Sequence, residues 1–176
     1  MANEQTLFRR ARVEDIDEIM RVVSEARAFM RGLGIDQWQD GYPERELLLE
    51  DIEIGQLYVF EEHGRVRAMA ALSLLPEPVY DAIDGAWRTG PGERYLTIHR
   101  MALDDASRGK GLAGAMALEA ERLARENGCA SVRADTHRGN AAMRRFLQKR
   151  GFENCGLVCY SVKTGDPLRV AYEKHL

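Results

Sequence analysis

Cysteine is scarce: three residues in 176, at 129, 155 and 159. That is too few for a disulfide framework, and any pairing of two leaves an odd thiol; none stands at a metal-ligand spacing from a histidine. No metal site is expected, and the thiols read as reduced and partly buried. Long apolar runs are also missing, since no stretch approaches the ~20 residues of a membrane span, and the opening Met1-Ala2-Asn3-Glu4-Gln5 has no apolar signal region. A cytoplasmic protein with no membrane partner is therefore expected. Positive charge is not in excess: the formal net charge is −3, which removes the electrostatic case for a nucleic-acid partner. No repeat, low-complexity tract or break in composition divides the chain, so 1–176 reads as a single domain.

What the chain does have is a concentration of glycine and cations at Ser107-Arg108-Gly109-Lys110-Gly111-Leu112-Ala113-Gly114. This run lies between an apolar strand pattern, Tyr95–Leu103, and a long helical pattern. Glycine lets backbone N–H groups approach a ligand closely, and the first turn of a helix leaves N–H groups unpaired at the positive end of its dipole. The segment therefore suits a phosphate or pyrophosphate. It is neither a P-loop, because Gly111 rather than Ser or Thr follows Lys110, nor the dinucleotide fingerprint.

A second segment, Asn140–Phe152, places apolar side chains at 142, 143, 146 and 147 on one helical stripe. Cations at 144, 145, 149 and 150 cover the remainder, and Gly151 stands where a helix C-terminus is capped. Elsewhere a strand is expected at 7–11, a helix from Glu14 to Arg31 with Ile16, Ile19, Met20, Val23, Ala26, Arg27 and Met30 on its stripe, and a second helix from Pro43 to near Gly55. A hairpin pairs 56–61 with 66–74. A connection over 76–93 carries prolines and glycines together with Tyr80, Ile83 and Trp87, and long connections are often functional. Then come the strand 95–103, helices at 109–127 and 140–150, and strands at 130–136, 155–162 and 168–174. Alternation of strands and helices implies a mixed sheet covered on both faces.

Arg108, Gly111 and Ala113 match the Arg/Gln-x-x-Gly-x-Gly/Ala signature of the GNAT superfamily of N-acetyltransferases, and Asn140 through Gly151-Phe152 resembles that family's later motif. The order of elements is similar over essentially the whole chain. The resemblance implies a mostly antiparallel sheet of about seven strands with helices on both faces, in which the strands 95–103 and 130–136 splay apart to hold acetyl-CoA as cosubstrate. The pyrophosphate would lie on Arg108, Gly109, Lys110, Gly111, Leu112, Ala113 and Gly114. Backbone groups of Met101, Ala102 and Leu103 would pair with the pantetheine arm, and Asn140 and Met143 would add contacts. The acceptor amine would attack the thioester directly, with positioning and a base supplying most of the rate. Homodimers are common on this fold, so a homodimer is a possible assembly.

Strand alternation puts Tyr95, Thr97, His99, Met101 and Leu103 on one face and Leu96, Ile98, Arg100 and Ala102 on the other. His99 is the candidate base, since an imidazole titrates near the working pH; a packed strand histidine is the alternative. The family's usual tyrosine on the second-motif helix is replaced by Leu147, which cannot donate a proton. Tyr160 and Tyr172 stand as unranked substitutes, and a non-catalytic acyl-CoA-binding or regulatory module remains open. His137 reads as a loop residue capping the next helix, and Asn140 as an N-cap or a pantetheine contact, the contact being favoured. Trp38, Tyr42, Tyr80 and Trp87, with Asp36 and Asp40, would receive a cationic amine, or form a dimer contact or a satellite core. A small-molecule acceptor is expected; a protein N-terminus or lysine is the alternative.

Overall fold

A computed structural model describes residues 6–176; the opening Met1–Gln5, read above for a signal region, lies outside the described residues. Eight strands form one sheet: β1 (Leu7–Arg10), β2 (Leu57–Glu62), β3 (Arg65–Ser73), β4 (Asp84–Gly85), β5 (Tyr95–Leu103), β6 (Ser131–His137), β7 (Glu153–Cys159) and β8 (Leu168–His175). Their order is β1-β2-β3-β5-β6-β8-β7-β4, and every neighbouring pair is antiparallel except β5–β6. The strand beyond the expected seven is β4, a two-residue pairing inside the 76–93 connection where Gly85 meets Gly156. A Cβ on either glycine would collide with the facing backbone, so only glycine permits the approach.

Helices cover both faces. On one, α1 (Ile16–Gly32) and α2 (Arg45–Glu53) pack Ile16, Ile19, Val22, Val23, Ala26 and Leu48 against Leu57, Val59, Met69 and Ala71. On the other, α3 (Leu112–Glu126) and α4 (Ala141–Lys149) pack Met116, Ala120, Ala124 and Leu147 against Leu96, Ile98, Val132 and Tyr172. The alanines of α3 leave little side chain between helix axis and sheet, which draws its N-terminus close to the end of β5. Among the described residues no helix is long and apolar enough to cross a membrane.

Several boundaries differ from expectation for local reasons. Helix α3 starts at Leu112 rather than 109 because Gly109 and Gly111 adopt φ +75° and +89°, outside the helical region. Helix α2 starts at Arg45, two residues after Pro43. Strand β7 begins at Glu153 and ends at Cys159, which frees 160–167 as a turn over the sheet.

The largest departure is in β5. Between Met69↔Ala102 and Ala71↔His99, two steps along β3 match three along β5, a bulge. Arg100 takes the extra place with φ +54°, a left-handed conformation costing about 1–2 kcal/mol for a residue with a Cβ. The bulge inverts the alternation beyond it. Met101 and Leu103 therefore pack with Leu96 and Ile98 on the α3/α4 face, while Ala102 packs on the α1/α2 face. The expected grouping of His99 with Met101 and Leu103 is corrected accordingly.

Candidate active site

The parallel pairing of β5 with β6 covers only Tyr95–Ile98 against Ser131–Ala134. Past that point β5 runs on to Leu103 and β6 to His137 with no further pairing, so the two strands splay and leave backbone groups of 99–103 without a ladder partner on that edge. A cavity of about 500 Å³ opens in the gap, walled by Ile98–Leu103, by Asp135 and Thr136, by Phe29 of α1 and by Met143 and Phe146 of α4.

The glycine-rich loop closes one end. Asp104 is buried and holds the loop's base, 3.1 Å from Arg67 and 3.7 Å from Arg21. Burial alone would raise its carboxyl, but hydrogen bonds from Ser107 and Arg67 outweigh that and hold it below the usual range. Gly109 and Ala113 line the cavity. No protein atom lies within 4 Å of where a Cβ on Gly109 or Gly111 would stand, and the N-terminus of α3 has no side-chain cap. Among the described residues the N–H groups of Leu112, Ala113 and Gly114 have no hydrogen-bond partner, which fits an anionic diphosphate. Arg108 is drawn aside: its guanidinium lies 3.9 Å from the Phe29 ring and 2.7 Å from Asp105. Lys110 and Leu112 border a separate recess of about 170 Å³ beside Glu62 and Arg67. A Cβ on Gly114 would meet the Arg150 guanidinium, the flexible end of a side chain that would have to move aside.

At the vertex of the splay stands His99. Its Nε2 is 3.1 Å from Glu77 Oε2, both side chains being largely buried. The bond from His99 holds the Glu77 carboxyl below the usual range. In a neutral imidazole whose Nε2 carries the hydrogen shared with Glu77, Nδ1 has the lone pair. Beside it Arg100 makes a two-pronged contact with Asp51, Nη2 at 2.9 Å and Nε at 2.8 Å, and donates from Nη1 to Tyr42 Oη at 2.9 Å. These bonds offset the strain of the bulge. On the β6 wall Asp135 Oδ2 accepts from Tyr160 Oη at 2.8 Å and Tyr80 Oη at 2.7 Å. Burial and the facing Asp135 push the Tyr160 phenol well above its ordinary value, so it keeps its proton.

Trp38 and Tyr42 line the cavity with Asp40. The loop that carries them is strapped to α1, where Arg27 donates to the carbonyls of Gly41, Tyr42 (3.1 Å) and Pro43 (2.8 Å). Tyr80 and Trp87 do not reach the cavity wall. Their ring centroids lie 4.7 Å apart with the planes tilted by 45°, Trp87 Nε1 donates to the Tyr80 carbonyl at 2.9 Å, and with Val158 and Ala171 they build a satellite core beneath it. Arg133 underlies that core, 4.1 Å from the Trp87 ring and 2.9 Å from buried Glu173, which also takes the N–H of Arg88 and Thr89. Asp36, expected in the acceptor pocket, instead sits 2.7 Å from Nε2 of His137, whose Nδ1 accepts from the Gly139 N–H at 3.0 Å. His137 thereby ties the α1–α2 loop to β6.

Asn140 Oδ1 accepts from the Met143 N–H at 3.1 Å, so the cap takes the oxygen that the favoured pantetheine contact would use; its Nδ2 donates to Gln37 Oε1 at 3.4 Å, and the residue lines the cavity. Leu147 is fully buried in the core while its neighbour Phe146 faces the cavity. Of the two candidate phenols, Tyr172 is buried and accepts from Arg144 at 3.3 Å, whereas Tyr160 lies in the cavity wall. Sequence reasoning missed Glu77, Arg100 and Asp135. A charge within an apolar strand was the available signal for Arg100 and Asp135; Glu77 between Pro76 and Pro78 carried none that linked it to His99.

A model of the acetyltransferase (GNAT) family matches residues 19–152. Among solved structures, a GNAT-family acetyltransferase from Streptococcus agalactiae 2603 is similar at 38% identity over 99% of both chains, with a TM-score of 0.83. A GNAT-family acetyltransferase from Listeria monocytogenes 4b F2365 shares the fold at 21% identity, TM-score 0.73, over 97% of this chain and 95% of that one. The PaiA N-acetyltransferase of Thermoplasma acidophilum, solved with coenzyme A, shares it at 18% identity, TM-score 0.72, over 98% and 99%. Among curated proteins none matches the chain.

Proposed function

The chain belongs to the acetyltransferase (GNAT) family, and from that premise we propose that it is an N-acetyltransferase that moves an acetyl group to a primary amine of a small molecule by direct attack in a ternary complex. The observation that carries this reading is that one cavity joins the splayed strand edge and the uncapped helix α3 to His99 and Tyr160. Acetyl-CoA, when bound, supplies an activated thioester. Gly109, Gly111 and the N–H groups of Leu112, Ala113 and Gly114 are suited to its diphosphate, and the unpaired edge of Met101–Leu103 to its amide-bearing arm.

The chain's own side chains do the proton work. Nδ1 of His99 takes the proton that an acceptor ammonium must lose before it can attack, and Glu77 orients the imidazole and balances the charge it gains. Tyr160 can turn its O–H from Asp135 to hydrogen-bond the departing sulfur, the role that Leu147 cannot fill. Arg100, locked to Asp51, fixes the bulge that opens the strand edge. Acceptor-dependent release of free thiol from acetyl-CoA tests the reading. Turnover with at least one small amine, lost in His99→Gln while CoA binding persists, is the expected result; CoA binding without release to any amine overturns it.

A further inference from the structure

We infer that the acceptor carries a carboxylate as well as its amine, and that Arg169 is the residue that binds the carboxylate, an inference that rests on the N-acetyltransferase reading. Three arginines line the cavity: Arg100, Arg108 and Arg169. The first two are neutralised by Asp51 and Asp105. Arg169 is different. Its Nη1 donates to the backbone carbonyls of Asp166 at 2.6 Å and Leu168 at 2.9 Å, and among the described residues no carboxylate lies within ion-pair distance of it. Two carbonyl bonds from Nη1 fix the guanidinium, and among the described residues Nε and Nη2 have no hydrogen-bond partner, a donor fork matched to a carboxylate. A partly desolvated cation without a counter-ion is costly, and an anionic ligand removes that cost.

The complementary charge stands on the same wall. Asp135 likewise has no cation within ion-pair distance among the described residues; it accepts only from the two phenols. In the β6–β8 register Asp135 opposes Ala171 and His137 opposes Arg169. Asp135 and Arg169 are therefore diagonal neighbours on one face of adjacent strands, about 7–8 Å apart at the backbone. They do not neutralise each other, yet one short zwitterion can reach both, its ammonium near Asp135 and His99 and its carboxylate on Arg169. Charge-assisted contacts of about 2.8 Å at each end leave room for the few atoms of a free amino acid or similar short amino carboxylate. A diamine or polyamine would instead bring a second cation against Arg169.

The test is calorimetric titration of the CoA-loaded protein with free amino acids, the corresponding carboxamides and the corresponding decarboxylated amines. Wild type, Arg169→Gln, Arg169→Lys and a surface control, Arg145→Gln, are compared. At least one amino acid should bind about tenfold or more tighter than its carboxamide, as expected for a hydrogen-bonded charge pair. Arg169→Gln should collapse that ratio to near one, Arg169→Lys should leave it intermediate, and Arg145→Gln should preserve it. Binding of no amino acid, absence of a carboxylate preference in wild type, or a proportional weakening of acids and amides alike in Arg169→Gln overturns the inference. Thiol release on the same panel separates the two readings. Release to neutral amines without carboxylate preference removes the Arg169 site and leaves acetyl transfer standing. Carboxylate-selective binding without any release supports the site and removes acetyl transfer.

Discussion

The two ends of the cavity are built in opposite ways. At the glycine-loop end one contiguous run, Ser107–Gly114, supplies the turn, the positive-φ glycines and a helix N-terminus without a side-chain cap. Nothing else must be recruited except an anchor for Asp104. At the other end the side chains come from six segments: Tyr42 from the α1–α2 loop, Glu77 from the long connection, His99 and Arg100 from β5, Asp135 from β6, Tyr160 from the β7–β8 turn and Arg169 from β8. The first end depends on local conformation, the second on the docking of several loops. A substitution should therefore act locally on cofactor binding at one end, and spread from stability to turnover at the other.

The largest effect expected is on turnover. His99→Gln should lower kcat by about 10²–10⁴-fold, the range for loss of a general base, with the dissociation constant for CoA unchanged by calorimetry; equal loss of both would place His99 in the scaffold. Next is Glu173→Gln, which leaves Arg133 buried without its anion and should cost about 3–5 kcal/mol in urea unfolding, although Glu173 does not line the cavity. Its pH dependence is a sharper reading. Burial alone would raise the Glu173 carboxyl, but donors from Ser131, Thr89, Arg133 and the Arg88 N–H hold it below its usual value. The stabilisation is thus complete above the unfolded-state value of about 4.3 and is lost as pH falls through the lower folded-state value. Wild type should lose stability steeply in that acid window, and Glu173→Gln should be flatter there.

At the other end Gly111→Val should weaken CoA by about 10–100-fold, the loss of one or two hydrogen bonds to a charged group. Its stability should fall by only about 1–2 kcal/mol, the strain of a Cβ at positive φ. A stability loss as large as that of Glu173→Gln would erase the contrast between the two ends. Smallest is Arg108→Ala, which removes an exposed pair with Asp105 and a contact with Phe29; a stability change within about 1 kcal/mol is expected by thermal unfolding.

The same contrast explains what could be read without coordinates. The loop at 107–114, the helix opened by Asn140 and capped at Gly151, and the alternation of strands and helices are carried by short-range patterns: glycine at turns, periodicity of 3.6 or 2, a cap at a fixed offset. His99 was also reachable, as a titratable group on an apolar strand. Its partner Glu77 was not, because it stands on the far side of the connection that precedes β5 and no local pattern reports how such a segment folds back. The bulge at Arg100 was hidden for a related reason. Strand β5 reads as regular alternation, and only the register against β3 reveals the extra residue that sends His99 and Met101 to opposite faces. The aromatics divided in the same way: Trp38 and Tyr42 face the cavity while Tyr80 and Trp87 lie beneath it, a distinction invisible in composition.

By itself the sequence determined the layered α/β architecture and the glycine-rich loop ahead of α3, because both follow from interactions between residues close along the chain, where spacing equals geometry. Only the tertiary structure decided which carboxylate meets His99, which phenol stands in the cavity wall, and that Arg169, diagonal to Asp135 across the β6–β8 pair, has no carboxylate within ion-pair distance among the described residues. Those contacts join segments whose distance in sequence says nothing about their distance in space, and the sheet order with its splayed and bulged β5 is what brings them together.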